Sequence, residues 1–319
     1  DSFRNSQIKR LRFGEMTEML SCTCRSINRS FIINKEGTEI EKGTRENIKN
    51  QEECNLLTIK NYIKASSLEE AYQLNQKKTN AVLGGMVWMK MSSKTITNAI
   101  DLSGLGLDQI EEKEDCFEIG CMVTLRDLEK SEKLRGCFGN FFEESVRHIV
   151  GVQFRNCATV GGSIYRRFGF SDVLTCFLAL DCEVELYHAG RVPIAEFVKM
   201  PYDNDILVRL IVKKTRRETA YLSHRMTATD FPILACAVAR QGENWYISLG
   251  ARPAKAALFV SSQISPQPGK EEMKAFAQYA AEQFTFGSNM RGSKEYRMEI
   301  AKVLIYRGME KIAGGTYAD

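Results

Sequence analysis

The decapeptide Arg155-Asn156-Cys157-Ala158-Thr159-Val160-Gly161-Gly162-Ser163-Ile164 is the stretch on which the fold turns. Paired glycines relieve a turn of Cβ interference and let backbone N–H groups close on an anion. Thr159 and Ser163 add hydroxyl donors beside them. A second pair stands upstream in Val82-Leu83-Gly84-Gly85-Met86, where Ala81 to Gly85 reads as a short buried strand running into a glycine turn. Two such turns can hold a pyrophosphate from both sides, although a plain tight turn explains such a pair at least as often as a phosphate does. Neither turn runs into G-K-[S/T], so a P-loop is excluded. Neither has the G-x-G-x-x-G spacing, so a Rossmann dinucleotide fold is not supported.

Outward from these turns the chain alternates irregularly between short strands and helices. Ser171 to Leu180 reads as an apolar helix, followed by a strand Glu183–Tyr187 and a turn at His188-Ala189-Gly190-Arg191. Upstream, Tyr62–Ala65 is extended. Ser66 or Ser67 caps a helix whose apolar face is Leu68, Ala71, Tyr72 and Leu74, with Glu69 and Glu70 in its first turn. Thr97–Leu102 is strand-like, and Phe117–Val123 alternates at period two as a half-buried strand does. Thr124 caps the next helix. Ile206–Val212 and Trp245–Gly250 are further strands, and Glu271–Phe284 and Lys294–Ile312 carry helical spacing. This mixture is α+β and lacks the strict βαβα rhythm of a doubly wound parallel sheet.

Composition narrows the function classes. The chain is 44% hydrophobic and 26% charged, as an ordinary globular protein is, and its 319 residues suit two or three domains. A formal net charge of +4 is too small for a nucleic-acid or anionic-membrane protein recognised by bulk charge. Apolar runs such as Phe231–Ala239 fall short of a membrane span, and Asp1–Arg12 shows no signal-peptide core. A cytoplasmic location follows as the expectation, and the 10 cysteines read as free thiols. Cys116, Cys121, Cys137 and Cys157 are too irregularly spaced for an iron–sulfur cluster, and the three histidines have no zinc spacing, so no metal site is expected. Residues 1–55 mix dense charge with few clustered apolar side chains and read as a weakly ordered extension in which Cys22 and Cys24 are not cluster ligands.

Taken together, the decapeptide, Ser171-Asp172-Val173-Leu174, Gly84-Gly85, Thr124–Glu129, Arg191–Phe197 and Gly292-Ser293-Lys294-Glu295-Tyr296-Arg297 resemble, in the same order, the FAD-binding subunit of the xanthine dehydrogenase and carbon monoxide dehydrogenase family of molybdenum hydroxylases. The resemblance covers roughly Leu57 to Ala313. It implies a two-subdomain FAD-binding fold of the vanillyl-alcohol-oxidase type over 56–214, followed by a small α+β domain over 215–319. It further implies that Leu83, Gly84, Gly85, Met86, Val87 and Trp88 wrap FAD on one side, with Ala158, Thr159, Gly161, Gly162, Ser163 and Ile164 on the other. Asp172 would help hold the adenosine end, or act as a helix N-cap, or both. Leu207 falls where the family packs an apolar side chain on the flavin, and plain strand core explains it as well. The implied partners are a molybdopterin-binding large subunit and a [2Fe–2S] small subunit, with NAD⁺ as acceptor and a xanthine-type substrate. No catalytic side chain is expected. Departures occur at Met86, where the family commonly has a hydroxyl, at Ser163, where Asn is frequent, and at Leu222, where a basic residue is frequent. Two alternatives stay open: a stand-alone flavin reductase of the same fold, and a scaffold subunit that has lost FAD.

Overall fold

The computed structural model describes residues 56–215, 217–265 and 268–314; the extension read over 1–55, with Cys22 and Cys24, lies outside them. The first sheet has three parallel strands in the order β1-β3-β2, formed by β1 (Thr58–Lys64), β2 (Ala81–Leu83) and β3 (Thr95–Asp101). Helix α1 (Leu68–Asn75) connects β1 to β2. Ser67 is its cap, accepting from the Glu70 N–H at 3.1 Å, while Glu70 reaches back to the Ser66 N–H at 2.8 Å. Reciprocal bonds of this kind satisfy donors that a helix start otherwise leaves open.

The second sheet is antiparallel, in the order β4-β5-β8-β6-β7. Its strands are β4 (Ile110–Glu112), β5 (Cys116–Gly120), β6 (Cys182–Leu186), β7 (Gly190–Pro193) and β8 (Leu207–Lys213). The period-two pattern reads out directly: Phe117 and Ile119 face the core, while Glu118 meets Arg209 across the sheet at 2.5 Å. Strand β5 stops at Gly120, three residues before the alternating pattern ends, because Val123 N–H folds back onto the Gly120 carbonyl. Between β5 and β6 run α2 (Leu125–Lys130), α3 (Glu132–Phe138), α4 (Phe141–Val146), α5 (Val152–Cys157), α6 (Val160–Tyr165) and α7 (Asp172–Leu178). Thr124 and Asp127 form a capping box at the start of α2. Every residue of α7 is buried, which suits a sequence that is apolar except at Asp172 and Thr175. A short helix α8 (Ile194–Phe197) follows β7.

The third sheet is the antiparallel meander β12-β11-β10-β9, formed by β9 (Glu218–His224), β10 (Leu234–Gln241), β11 (Asn244–Gly250) and β12 (Ala257–Ser261). Helices α9 (Lys270–Glu282) and α10 (Lys294–Ile312) cover it, burying Trp245, Phe276, Ala280, Ile305 and Met309. A side chain of this kind contributes about 1.5–3 kcal/mol when fully buried. The Gly292–Arg297 motif owes its form to Arg297, a buried guanidinium with every arm bonded. It donates to the carbonyls of Ile233 (2.9 Å), Gly287 (2.8 Å) and Gly292, and to Asn289 Oδ1 (2.6 Å). One side chain thereby fixes the loop before α10 against the start of β10. The fold is thus the α+β arrangement expected, with no doubly wound sheet among the described residues. Among the described residues no helix is long and apolar enough to cross a membrane.

Candidate cofactor cleft

The two glycine turns meet. A Cβ on Gly84 would lie 2.8 Å from Thr159 Oγ1, and one on Gly85 would lie 1.7 Å from the Cys157 carbonyl oxygen. The loop after β2 therefore packs backbone to backbone on the chain entering α6, a contact that only glycine permits. Gly161 is equally constrained from behind, 2.7 Å from the Cys121 Cβ and carbonyl oxygen. Gly162 differs: its only close neighbour would be Thr159 Oγ1 at 3.1 Å, and it is exposed. The sequence pairs the glycines, but the first of this pair serves packing and the second faces open space.

Beside this junction lies a cleft of about 820 Å³. Thirteen of the fourteen residues expected to hold the cofactor line it: Leu83, Gly84, Gly85, Met86, Val87, Trp88, Ala158, Thr159, Gly161, Gly162, Ser163, Asp172 and Leu207. Ile164 does not, because on α6 it turns inward and is fully buried in the core. The volume is at the upper end of that usual for small-molecule sites.

The turns differ in their donors. At the start of α6 the amides are already used. Val160 N–H bonds the Val123 carbonyl, Gly161 that of Cys121, Gly162 the Thr159 hydroxyl at 3.2 Å, and Ser163 the Thr159 carbonyl. The Ser163 hydroxyl, expected as a donor to the ligand, gives its proton to the Thr159 carbonyl at 2.9 Å instead. In the first turn, none of the N–H groups of Gly84, Gly85, Met86, Val87 or Trp88 has an acceptor among the described residues. Met86 sits at φ +58°, in the left-handed region, the kind of backbone that can turn successive amides toward an anion. Its missing hydroxyl is offset by backbone donors that need no side chain.

The remaining walls are built from both domains. Trp88 packs with Phe154, Phe170 and Phe231, ring centroids 5.6–6.5 Å apart. Phe231 comes from the loop before β10, which Arg225 and Arg291 hold through Asp230. Leu207 opens β8 and is nearly buried, so it is both strand core and cleft wall. Ser171 caps α7 by accepting from Leu174 N–H at 3.1 Å, which leaves Asp172 as the first helical residue and not the cap. Asp172 instead accepts from Tyr221 Oη and Arg225 Nη2, both at 2.6 Å. Burial pushes its carboxyl up; Arg225 and Tyr221 work against that. Arg225 was not anticipated from sequence: the Tyr221–Arg225 segment drew attention only to Leu222, and nothing local signals a partner 53 residues away.

The other carboxylates lining the cleft are engaged too. Asp203 accepts from Tyr165 Oη at 2.6 Å, and Asp205 from the amides of His188, Ala189 and Ile206. Asp230 accepts from the Phe231 amide and Arg291. Burial, then Asp203, pushes the Tyr165 hydroxyl well up, so it stays protonated. The four cysteines considered for a cluster do not converge: Cys116 and Cys121 are buried and Cys137 and Cys157 exposed. Among the described residues no three His, Cys, Asp or Glu side chains gather as metal ligands.

Residues 56–215 match the family model described as the FAD binding domain in molybdopterin dehydrogenase, and residues 220–312 match the CO dehydrogenase flavoprotein C-terminal domain. The chain is 25% identical over 256 residues to the uncharacterised protein YgfM of Escherichia coli K12, covering 77% of this chain and 94% of that one. It is 22% identical over 275 residues to the glyceraldehyde dehydrogenase medium chain of Sulfolobus acidocaldarius, covering 79% and 98%. Among solved structures, quinoline 2-oxidoreductase from Pseudomonas putida 86 superposes with a TM-score of 0.70 at 20% identity, over 81% of this chain and 98% of that one. The cleft suits the cofactor in the first of these descriptions. Five unsatisfied amides suit a pyrophosphate, and the aromatic and aliphatic walls suit flat rings.

Proposed function

The chain belongs to the family of FAD-binding domains of molybdopterin dehydrogenases, and from that premise we propose that it is the flavin subunit of a molybdenum hydroxylase. Its cofactor is FAD. In this reading Gly84–Trp88 hold the pyrophosphate through backbone N–H groups, the exposed face of Gly162 leaves room for it, and Leu207 and the Trp88–Phe231 cluster bound the rings. FAD held there would supply chemistry that takes up electrons singly and gives them up in pairs, and so would join a one-electron donor to a two-electron acceptor. The proposed donor is a [2Fe–2S] small subunit, itself served by a molybdopterin-binding large subunit. The proposed acceptor is NAD⁺ and the proposed substrate of the complex a xanthine-type purine; both rest on the sequence resemblance.

One observation carries the reading: the run of five N–H groups without acceptors among the described residues, with Met86 in the left-handed region within it, backed by a turn whose amides from Val160 to Ser163 are spent. The engaged carboxylates support a role in electron transfer over stand-alone reduction of an organic substrate. A stand-alone reductase needs a proton donor aimed at its substrate, and Asp172, Asp203, Asp205 and Asp230 are each held by protein donors. In this reading the chain's side chains wall the cleft and orient the cofactor.

The test is recovery of the tagged chain from its own cells. The account expects yellow protein carrying FAD, together with a molybdenum-containing large subunit and an iron–sulfur subunit, and NAD⁺ reduction when a purine is added. A flavin-loaded chain that never associates with such subunits contradicts it. Oxidation of an aldehyde, and not of a purine, by the recovered complex replaces the proposed substrate and keeps the subunit assignment.

A further inference from the structure

A second cavity, of about 230 Å³, lies beside the cleft and is lined by Glu144, Arg147, His148, Tyr221, Ser223 and Lys311. His148 lines both spaces. The charges in the smaller one do not balance. Arg147 is matched by Glu144 at 3.2 Å, whereas the Lys311 ammonium, in the last turn of α10, has no partner among the described residues. Ser223 Oγ accepts from Arg225 Nε at 3.1 Å, which leaves its own proton to give. Beside the Glu144 carboxylate, which Arg147 neutralises, the recess offers donors from three separate elements: an ammonium, a guanidinium edge and a hydroxyl. At about 30 Å³ per water, its volume suits a tetrahedral oxyanion or short carboxylate with a few waters and is too small for a nucleotide.

We propose that this recess binds a small oxyanion and that His148 reports its occupancy to the cofactor cleft. Arg147 Nε donates to His148 Nε2 at 3.1 Å, so the neutral ring carries its proton on Nδ1. Burial first, then the positive charges of Arg147 and Arg225, hold the ring below the ordinary histidine pKa, with Glu144 and Asp172 opposing. The other groups facing it from the recess are Tyr221, on β9, and Lys311. An anion seated among these cations removes part of their repulsion and favours the imidazolium, a new positive charge on the cleft wall. Binding stands on the recess alone; the report to the cleft rests on the FAD reading.

The full chain has three histidines, so its imidazole proton signals can be followed by NMR and the His148 signal assigned with His148→Gln. Sulfate is the probe because its charge is constant across the histidine titration, with chloride at equal ionic strength as the control. The expected result is a saturable sulfate-specific shift at His148 alone and a rise of about one unit in its pKa. Lys311→Gln, at an exposed position, should weaken sulfate binding about tenfold, the loss of one charged hydrogen bond. In flavin-loaded protein sulfate should also move the flavin absorption band, and His148→Gln should abolish that movement while calorimetry still detects sulfate. A His148 signal that responds to chloride and sulfate alike, or unchanged affinity in Lys311→Gln, overturns the site. A flavin band unmoved by saturating sulfate overturns the report while leaving the site. Protein without flavin still decides the binding half and removes the basis of the other.

Discussion

The turn at Gly84–Trp88 and the turn at Ala158–Ile164 resemble each other as sequences and do opposite work. The second is finished internally. Its amides from Val160 to Ser163 are bonded within the protein, Thr159 caps α6, and the Arg155–Glu129 pair (2.9 Å) anchors the helix leading into it. The first is unfinished, with five amides lacking acceptors among the described residues and Met86 in a left-handed conformation. A rigid turn and a receptive turn pressed together make a site in which only one partner has to adapt. Paired glycines therefore do not by themselves mark donors. Gly85 and Gly161 exist for close packing, and Gly162 alone combines exposure with a place on the cleft wall.

Predictions that break this contrast run from large effects to small. Gly85→Ala places a Cβ 1.7 Å from the Cys157 carbonyl, where only backbone can yield. We expect a loss of about 3 kcal/mol or more, seen as a melting temperature lower by about 10 °C, and unaltered melting would mean the turns do not touch. Glu129→Gln strands the buried Arg155 and should cost about 3 kcal/mol. Burial pushes the Glu129 carboxyl up, but Arg155 and Arg126 outweigh it and hold it below its ordinary 4.5. The stabilisation is therefore complete above pH 4.5 and fades as pH falls through the lowered value; wild-type stability should show this acid-side loss and the variant should lack it. Thr159→Ala removes the cap of α6 and should cost about 1 kcal/mol in urea unfolding; a neutral result would show that the second turn is not held by its cap. Smallest is Met86→Gly, which relieves the left-handed strain and should raise the stability of the flavin-free protein by about 0.5 kcal/mol. A destabilised Met86→Gly would place the strain elsewhere.

Much of the fold was legible because its signals are local. Ser67 and Thr124 cap where their sequences announce it, Lys294–Ile312 is one helix, and Cys182–Leu186 alternates as a half-buried strand should. The Phe231–Ala239 run was less legible. Its first residues form the cleft loop and only Leu234 onward is strand, since apolar residues serve a ligand wall and a core alike. In the site, thirteen of the expected residues were placed by motif, but Ile164 was carried along by proximity in sequence although helical rotation turns it into the core. Arg225 and the engaged Ser163 hydroxyl could not be read, since both depend on which groups the tertiary fold brings within hydrogen-bond reach.

The most direct measurement is the flavin content of Gly162→Val beside that of the unaltered chain. A Cβ here meets only the Thr159 hydroxyl within 4 Å, so the variant should fold and melt much like the original with its flavin removed. Its side chain projects into the cleft where the account places the cofactor. We expect the unaltered chain to carry about one FAD and the variant to lose nearly all of it, by visible absorbance and by the flavin released on denaturation. A folded variant that keeps stoichiometric FAD, or an unaltered chain that takes up none, would contradict the assignment of this cleft.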